Sequence, residues 1–397
     1  MSKKSKQPEL SGLVVVDKPL GVTSHDVVAA VRGELHMRRV GHAGTLDPQA
    51  SGVLVIGFGH GTRLLNYIVD HTKTYEATIR LGQSSTTDDS EGEITTVASV
   101  RLAGDSSNQG LNHSEHSGSV RVLTTQQIEQ VIKEHLTGDI EQVPSSYSAV
   151  RVNGHHAYEL ARQGKAVELK ARPVTISEFT VLGARNVDNN DDESIADTTA
   201  AIDVDVRISC STGTYIRSLG RDLGQLLGVG GYLTKLRRTR VGRFDLADSQ
   251  LAGRVVTAHA KPHTFTNREG VTLTLNKAVL DVDTDELKRR SLTMLEATQR
   301  TMPTIPITDA DAQNLRFGRR LRMPLAAEMN ARDCADTEVA DNSAPTAEHA
   351  SDRILINAKR ANSFVAVYIP QTGEVVGILE PTNDHELKSV VVFPAAG

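Results

Sequence analysis

The sequence has no tryptophan, and only 4% of its 397 residues are aromatic. With 39% hydrophobic residues, there is enough apolar material for a real core, and the low aromatic content suits a chain that carries several polar insertions. Cysteine is nearly absent: Cys210 and Cys334 lie far apart, and two such residues make neither a disulfide framework nor a zinc site. Long apolar runs are missing too. The longest, such as "LVVV" and "VLVI", are strand-sized, which excludes a membrane-spanning helix. The opening "MSKKSKQPEL" has no apolar stretch of the kind a signal peptide needs. A soluble protein of the reducing cytoplasm is therefore expected, with two or three domains for this length.

Formal net charge is −5, which at first sight disfavours a nucleic-acid partner. Distribution matters more than the sum. Acid is concentrated over 186–205 and 327–352, and base over 234–243 ("TKLRRTRVGR"), with smaller basic groups at 36–39 and 316–322. An acidic protein can still carry a basic face for RNA, so 234–243 is expected to supply one, unless it is only a solvated strand.

Hydrophobic periodicity outlines the elements. "GLVVVDKP" (12–19) reads as a buried strand stopped by Pro19, and "SHDVVAAVRGELH" (24–36) as an amphipathic helix with Ser24 as cap and Asp26 in its first turn. A loop follows to about Ser51, then the buried run "VLVIGFG" and a short helix capped by Thr62. "KTYEATIRLG" alternates, with Tyr75, Ala77, Ile79 and Leu81 on one side, which turns Tyr75 into the protein or a cleft. Residues 96–122 and the acidic stretch at about 184–200 read as insertions. A capped helix is expected at 124–136, a strand over "SSYSAVRVNG", a helix over "HHAYELARQG" closed by Gly164, and strands over "VTISEFTVLG" and "AIDVDVRISC". The last of these leads to "STGTYIRSLGRDLG", a helix beginning near Tyr215. Beyond about 255 the character changes. A helical connector is expected over 256–302. From 303 come a helix capped by Thr308 and short strands "RILIN", "SFVAVYIP", "GEVVGILEP" and "SVVVFP", a small barrel interrupted by the acidic insertion at 327–352.

Several chemistries lack their residues. "GFGHG" is not followed by Gly-Lys-Ser/Thr, so it is no P-loop. His42, His60 and His71 do not fall at metal-ligand spacing from Cys or carboxylates. No Gly-x-Ser-x-Gly elbow is present for a serine triad, and the distance that two-carboxylate glycosidase chemistry requires is not readable from sequence. More promising is Asp47, alone among small residues in "GHAGTLDPQASGVLVIGFGHGTRLL" (41–65), taken with Arg217 at a strand-to-helix junction. An aspartate beside a fixed arginine stays ionised, and the planar guanidinium can hold it by two hydrogen bonds. Such a carboxylate could act as a nucleophile. The small residues around it would let substrate approach the backbone, and Pro48 would stiffen the loop.

Six blocks occur in order: "VDKPLGVTSHDVV", "RVGHAGTLDPQASGVLVIGFGHGTRL", "KTYEATIRLGQSSTTDDSEGE", "QVPSSYSAVRVNGHHAYELARQGK", "STGTYIRSLGRDLG" and "YLTKLRRTRVGRF". Together they resemble the TruB family of tRNA pseudouridine synthases over roughly 11–250. The resemblance implies an α+β fold, with a mixed, mostly antiparallel sheet in a catalytic domain (11–255), flanking helices, and a PUA-like RNA-binding barrel at 303–397. It also implies isomerisation of uridine 55 in the tRNA T-arm, with the base detached from C1′, turned and rejoined through C5, and with no metal or organic cofactor. Asp47 falls on the family's essential aspartate, Tyr75 on the aromatic at the target base, and Arg217 on the partner of the aspartate. His42 falls on the residue that holds the nucleotide out of its stack. Tyr215 and Leu236 fall on pocket-lining positions, and Lys18 with Pro19 on a pair supporting the Asp loop. The partner implied is the tRNA T-arm stem-loop, met by a monomer that could also assist tRNA folding. The chain departs from the family at "PSSYSAV", where Pro-Pro is usual, and at Arg151, where Lys is common.

The physics of such a reaction fits. Chemistry on a base within an RNA loop requires extruding it, at a cost of a few kcal/mol. Stacking on an aromatic side chain returns about 1–3 kcal/mol per base. A binding protein without catalysis and a nucleoside or glycoside hydrolase are the rival readings. The first would bind RNA without isomerising it, and the second would release free uracil.

Overall fold

The computed structural model describes residues 10–103, 120–148, 150–152, 154–163, 169–187, 200–267, 270–322, 364–382 and 386–395. The main sheet is built in chain order from β1 (Gly12–Lys18), β2 (Val40–Ala43), β3 (Ala50–Phe58), β4 (Lys73–Leu81), β5 (Gly138–Gln142), β6 (Arg172–Val187), β7 (Ala201–Cys210), β8 (Gly231–Val241), β9 (Val256–Thr266) and β10 (Thr272–Leu280). Its spatial order is β10-β9-β1-β3-β8-β4-β7-β6-β5, with β2 added on β3. Only β1/β9 and β3/β8 are parallel along this path. The fold class is therefore the mixed, mostly antiparallel α+β arrangement expected.

The alternation read in β4 is real. Tyr75, Ala77, Ile79 and Leu81 are buried in one cluster with Ile202, Val204, Val206 and Ile208 of β7. Three helices pack on this sheet: α1 (Ser24–Glu34), α2 (Thr125–His135) and α3 (Ile216–Leu226). The apolar face of α2, Ile128, Ile132 and Leu136, is buried in the same cluster, with Val131 half-buried against it. Tyr215 is the N-cap residue of α3, where the sequence placed the helix start.

Some local readings change. Thr23, not Ser24, caps α1, in a capping box with Asp26. Residues Gly59–Arg63 form a 3₁₀ turn and Leu65–Val69 a short helix, so Thr62 is no helix cap. Among the described residues of "SSYSAVRVNG", only Arg151–Val152 pairs as strand. The helix after it spans Ala157–Arg162, and Gly164 lies outside the described residues. The largest change concerns the helical connector at 256–302. Residues 256–280 are the hairpin β9–β10, and helix is confined to Thr284–Arg290 and Met294–Thr301. The Val256/Ala258/Ala260 side of β9 alternates with Thr and His, a weak hydropathic contrast that hides a period of two.

At the C-terminal end, a helix at Asp309–Arg316 is capped by Thr308 as expected. Strands β11 (Thr304–Pro306), β12 (Leu321–Arg322), β13 (Val365–Ile369), β14 (Glu374–Pro381) and β15 (Glu386–Val392) make a five-stranded sheet ordered β11-β13-β14-β15-β12 around its own apolar core. This half-barrel is consistent with a PUA-like domain. "RILIN" and the insertion at 327–352 lie outside the described residues, as do most of the other two insertions. Among the described residues no helix is long and apolar enough to cross a membrane.

Candidate active site

The loop carrying Asp47 runs from β2 to β3 at the end of the sheet where β1 finishes, because Lys18 pairs with Gly52. Segments distant in sequence pin it. The Ser24 hydroxyl accepts from the Leu46 amide at 2.8 Å and donates to the Leu46 carbonyl at 3.0 Å, all buried. The Gly21 amide donates to the Pro48 carbonyl at 2.8 Å. Arg238, 1% exposed, donates to the carbonyls of Gly44 (3.0 Å), Thr45 (3.4 Å) and Val53 (2.9 Å). Lys18 is fully buried, and its ammonium donates to the carbonyls of Pro19 (2.9 Å) and Val22 (2.7 Å). Burial lowers its pKa to about 8, against the opposing pull of Asp47. Lys18 thus braces the turn beside the Asp loop and offers no surface to RNA.

Two glycines are dictated by the chain itself. A Cβ on Gly52, whose φ is +106°, would stand 2.1 Å from the Arg238 carbonyl oxygen. One on Gly61 would stand 2.1 Å from the Gly12 carbonyl oxygen. At these positions small residues serve backbone-to-backbone packing within the protein, not the approach of a substrate.

Asp47 and Arg217 meet. The Asp47 carboxylate, half-exposed, lies 3.0 Å from a terminal nitrogen of Arg217, which is 9% exposed. That same nitrogen donates to the Tyr147 carbonyl at 3.0 Å. The other donates to the Thr87 carbonyl at 3.0 Å and faces Asp89 at 3.3 Å. The guanidinium is therefore locked from three sides, leaving the Asp47 carboxylate as the open side of the pair. Both lie in a narrow cleft open to solvent, whose lining includes Ala50, Ser90, Leu233 and Leu236. Leu236 lies opposite Ala50 on β3 and Ala77 on β4, which places it in the wall.

Tyr75 is 8% exposed and lies in the same apolar cluster as Leu46, Ala50 and Leu236, without being part of the lining of the cleft. Burial raises its hydroxyl pKa, with Arg238 opposing, so it is a neutral phenol that can donate a hydrogen bond. His42 lies on β2, edge-on to His25 with ring centroids 5.5 Å apart. Its Nδ1 is buried without a hydrogen-bond partner. Burial, with His25 and Arg238 close by, lowers its pKa. Tyr215 is half-buried. Its backbone amide donates to Gln142 at 2.9 Å and its carbonyl accepts from Gln142 at 3.1 Å, which fixes the start of α3 and hence Arg217 two residues on.

Sequence reasoning missed Asp88 and Asp89, both buried and both in the quoted "TTDDSEGE". Asp88 adopts φ +62°, accepts from Arg221 at 3.2 Å, and burial raises its pKa against that cation. Asp is among the few residues that tolerate this left-handed conformation. A paired acid beside a reactive-looking motif was the available signal. Ser24, Arg238 and Gln142 had none, since each acts on a segment far along the chain.

The basic run at 234–243 is partly engaged inside the protein. Arg237 pairs with Asp17 at 2.7 Å, Arg238 is buried, and Arg240 bonds Thr74 at 3.1 Å, whereas Lys235 and Arg243 are exposed, Arg243 donating to the Gln299 carbonyl at 3.3 Å. Likewise Arg316 pairs with Glu374, and Arg320 and Arg322 with Glu386. Among the described residues no three His, Cys, Asp or Glu side chains converge as metal ligands would.

Comparison with known proteins bears on this site. A family model described as TruB family pseudouridylate synthase (N terminal domain) matches residues 32–216. A second, described as tRNA pseudouridylate synthase B C-terminal domain, matches 217–284. The chain is 47% identical over 417 aligned residues to a tRNA pseudouridine synthase B of Bifidobacterium longum (strain NCC 2705), covering 97% of this chain and 98% of that one. It is 54% identical over 233 residues to a tRNA pseudouridine synthase B of Thermobifida fusca (strain YX), covering 59% and 70% of the two chains. Among solved structures, one described as a Cbf5-Nop10-Gar1 complex contains a chain of similar fold, with TM-score 0.55, 21% identity, and coverage of 97% of this chain and 85% of that one.

Proposed function

Because this chain belongs to the TruB family of pseudouridylate synthases, we propose that it isomerises uridine 55 in the T-arm loop of tRNA to pseudouridine, with Asp47 as the carboxylate on which the reaction depends. The observation that carries this reading is the Asp47–Arg217 pair at 3.0 Å, with the acid open to the cleft and the arginine buried and fixed. A carboxylate held in place beside a cation needs no reorganisation when charge develops on the substrate.

The reaction is an isomerisation. The bond from C1′ to N1 breaks, a bond from C1′ to C5 forms, the C5 proton leaves, and N1 ends protonated. No electrons are gained or lost, so neither an oxidant nor a reductant is called for. Asp47 acts at the ribose or at the base while the uracil is detached. Leu236 and Ala50 bound the apolar side of the cleft, and Tyr75 would be the surface on which the flipped uracil stacks once the loop is engaged. His42 would fill the gap the flipped nucleotide leaves, and Tyr215 would line the pocket while its backbone holds α3. The enzyme would act as a monomer in the cytoplasm, with tRNA as its partner.

The test is tritium release from tRNA carrying uridine labelled at C5, with Asp47→Asn alongside. Release by the native protein that vanishes in the variant supports the isomerase reading. RNA binding without release would replace it with a binding or folding role, and free uracil would replace it with hydrolysis.

A further inference from the structure

The hairpin β9–β10 is an arm. Val256 and Thr257 pair with Val16 and Asp17 of β1, in parallel, and the strand then continues to Thr266 beyond the end of β1. Nine residues separate Thr257 from Thr266, a projection of about 30 Å at roughly 3.4 Å per residue. It extends past the same end of the sheet that carries the Asp47 loop. Asn276 on β10, opposite Pro262, donates to the Gly21 carbonyl at 3.2 Å, and the Gly21 amide donates to the Pro48 carbonyl at 2.8 Å, so the arm is tied through one turn to the loop that carries Asp47.

Residues 261–266 and 270–277 are exposed on both faces of the arm. Two strands alone are marginally stable in water, and this pair displays large apolar side chains. Phe265 is 38%, Leu273 39% and Leu275 58% exposed. Register puts Lys261 opposite Lys277, His263 opposite Leu275, and Phe265 opposite Leu273, so these six share one face. The His263 and Phe265 rings are stacked, with centroids 6.0 Å apart. The other face carries threonines and Asn276, which points back to the protein.

Charge selects the occupant. Residues 261–267 and 270–277 hold two bases, Lys261 and Lys277, and no acid, in a chain of net charge −5. Whereas Arg237, Arg316, Arg320 and Arg322 are each paired with a carboxylate, no ion pair involves Lys261 or Lys277 among the described residues. A pair of free lysines flanking a stacked ring and aliphatic side chains matches phosphates beside unstacked or terminal bases, and lacks the acids that a basic protein partner would meet.

We infer that the arm formed by residues 261–266 and 270–277 is an RNA-docking surface that holds the substrate tRNA beside the cleft, with Lys261 and Lys277 on its phosphates and the His263–Phe265 stack against a base or ribose. This rests on the tRNA reading above. The test compares the native protein with Lys261→Glu/Lys277→Glu and with Lys261→Arg/Lys277→Arg, using an unmodified tRNA transcript over a series of salt concentrations. All side chains changed are exposed, so each variant should unfold at the native midpoint. The Glu pair should bind about tenfold more weakly near 0.1 M salt, with the slope of log affinity against log salt reduced by roughly 1.5, as two lost phosphate contacts require. It should raise KM for tRNA while kcat holds, and the Arg pair should behave as native. Affinity and salt slope unchanged in the Glu pair would overturn the inference and leave the arm to a protein partner. Binding is measured without turnover, so a native protein that forms no pseudouridine refutes the activity while the arm is still tested.

Discussion

Ser24 is the residue that most directly sets where Asp47 stands without touching a substrate. Its hydroxyl makes both hydrogen bonds to the backbone of Leu46, and the residue is 1% exposed. In Ser24→Ala the amide and carbonyl of Leu46 remain buried, and no water can replace the lost partner without opening the loop. An unsatisfied buried polar group costs about 1–3 kcal/mol, so the pair should cost about 2–6 kcal/mol of stability. The loop's alternative is to shift until those groups find partners, and a shift of about 1 Å in a reacting group can cost about 100-fold in rate. Urea denaturation should therefore show the loss of stability, and tritium release should show kcat down by roughly ten- to a hundredfold with KM within about threefold. Thr23→Ala is the control. It removes the α1 cap, costs about 1 kcal/mol, and should leave kcat native. A Ser24→Ala protein that loses stability yet turns over at the native rate would show that Asp47 does not depend on this clamp.

Two further outcomes follow from the site. Arg217→Lys keeps the charge but replaces a fork serving Asp47, Asp89 and two carbonyls with a single nitrogen. Stability should fall by about 1.5–3 kcal/mol and kcat should fall with it, and a native melting midpoint with native kcat would contradict the role given to the fork. Lys18 gives a pH signature. Its folded pKa of about 8 lies below its ordinary 10.5, so between pH 8 and 10.5 the unfolded chain binds more protons and stability rises with pH. Lys18→Met removes that contribution, and the difference in stability between native protein and variant should grow in favour of the native protein from pH 8 to 10. A constant difference across that window would show that the ammonium is not buried as described.

Sequence carried the periodic elements and the pairing of Asp47 with Arg217. Tyr75 was turned inward by the alternation of β4, and Tyr215 marked the start of α3, because both follow from local spacing. Within the basic run at 234–243, Arg237 is paired with Asp17, more than two hundred positions away, which no local pattern reports. Ser24 looked like a cap because its type and position fit one. Only the fold shows that Thr23 takes that task and frees Ser24 for Leu46. The hairpin at 256–280 was hidden because alanine and threonine alternate with too little contrast to betray a strand.

The Asp47 loop has no regular structure of its own and owes its shape to Gly21, Ser24, Arg217 and Arg238. During synthesis, Asp47 and Tyr75 leave the ribosome long before the segments that contain Arg217 and Arg238. Until about residue 241 has emerged and β8 has slotted between β3 and β4, the nascent chain holds Asp47 with only the contacts of Gly21 and Ser24 to place its loop. Closing contacts of such sequence separation is slow relative to local helix formation. The candidate site therefore assembles in one late step, and a fragment ending before β8 would carry Asp47 and Tyr75 without the residues that complete it.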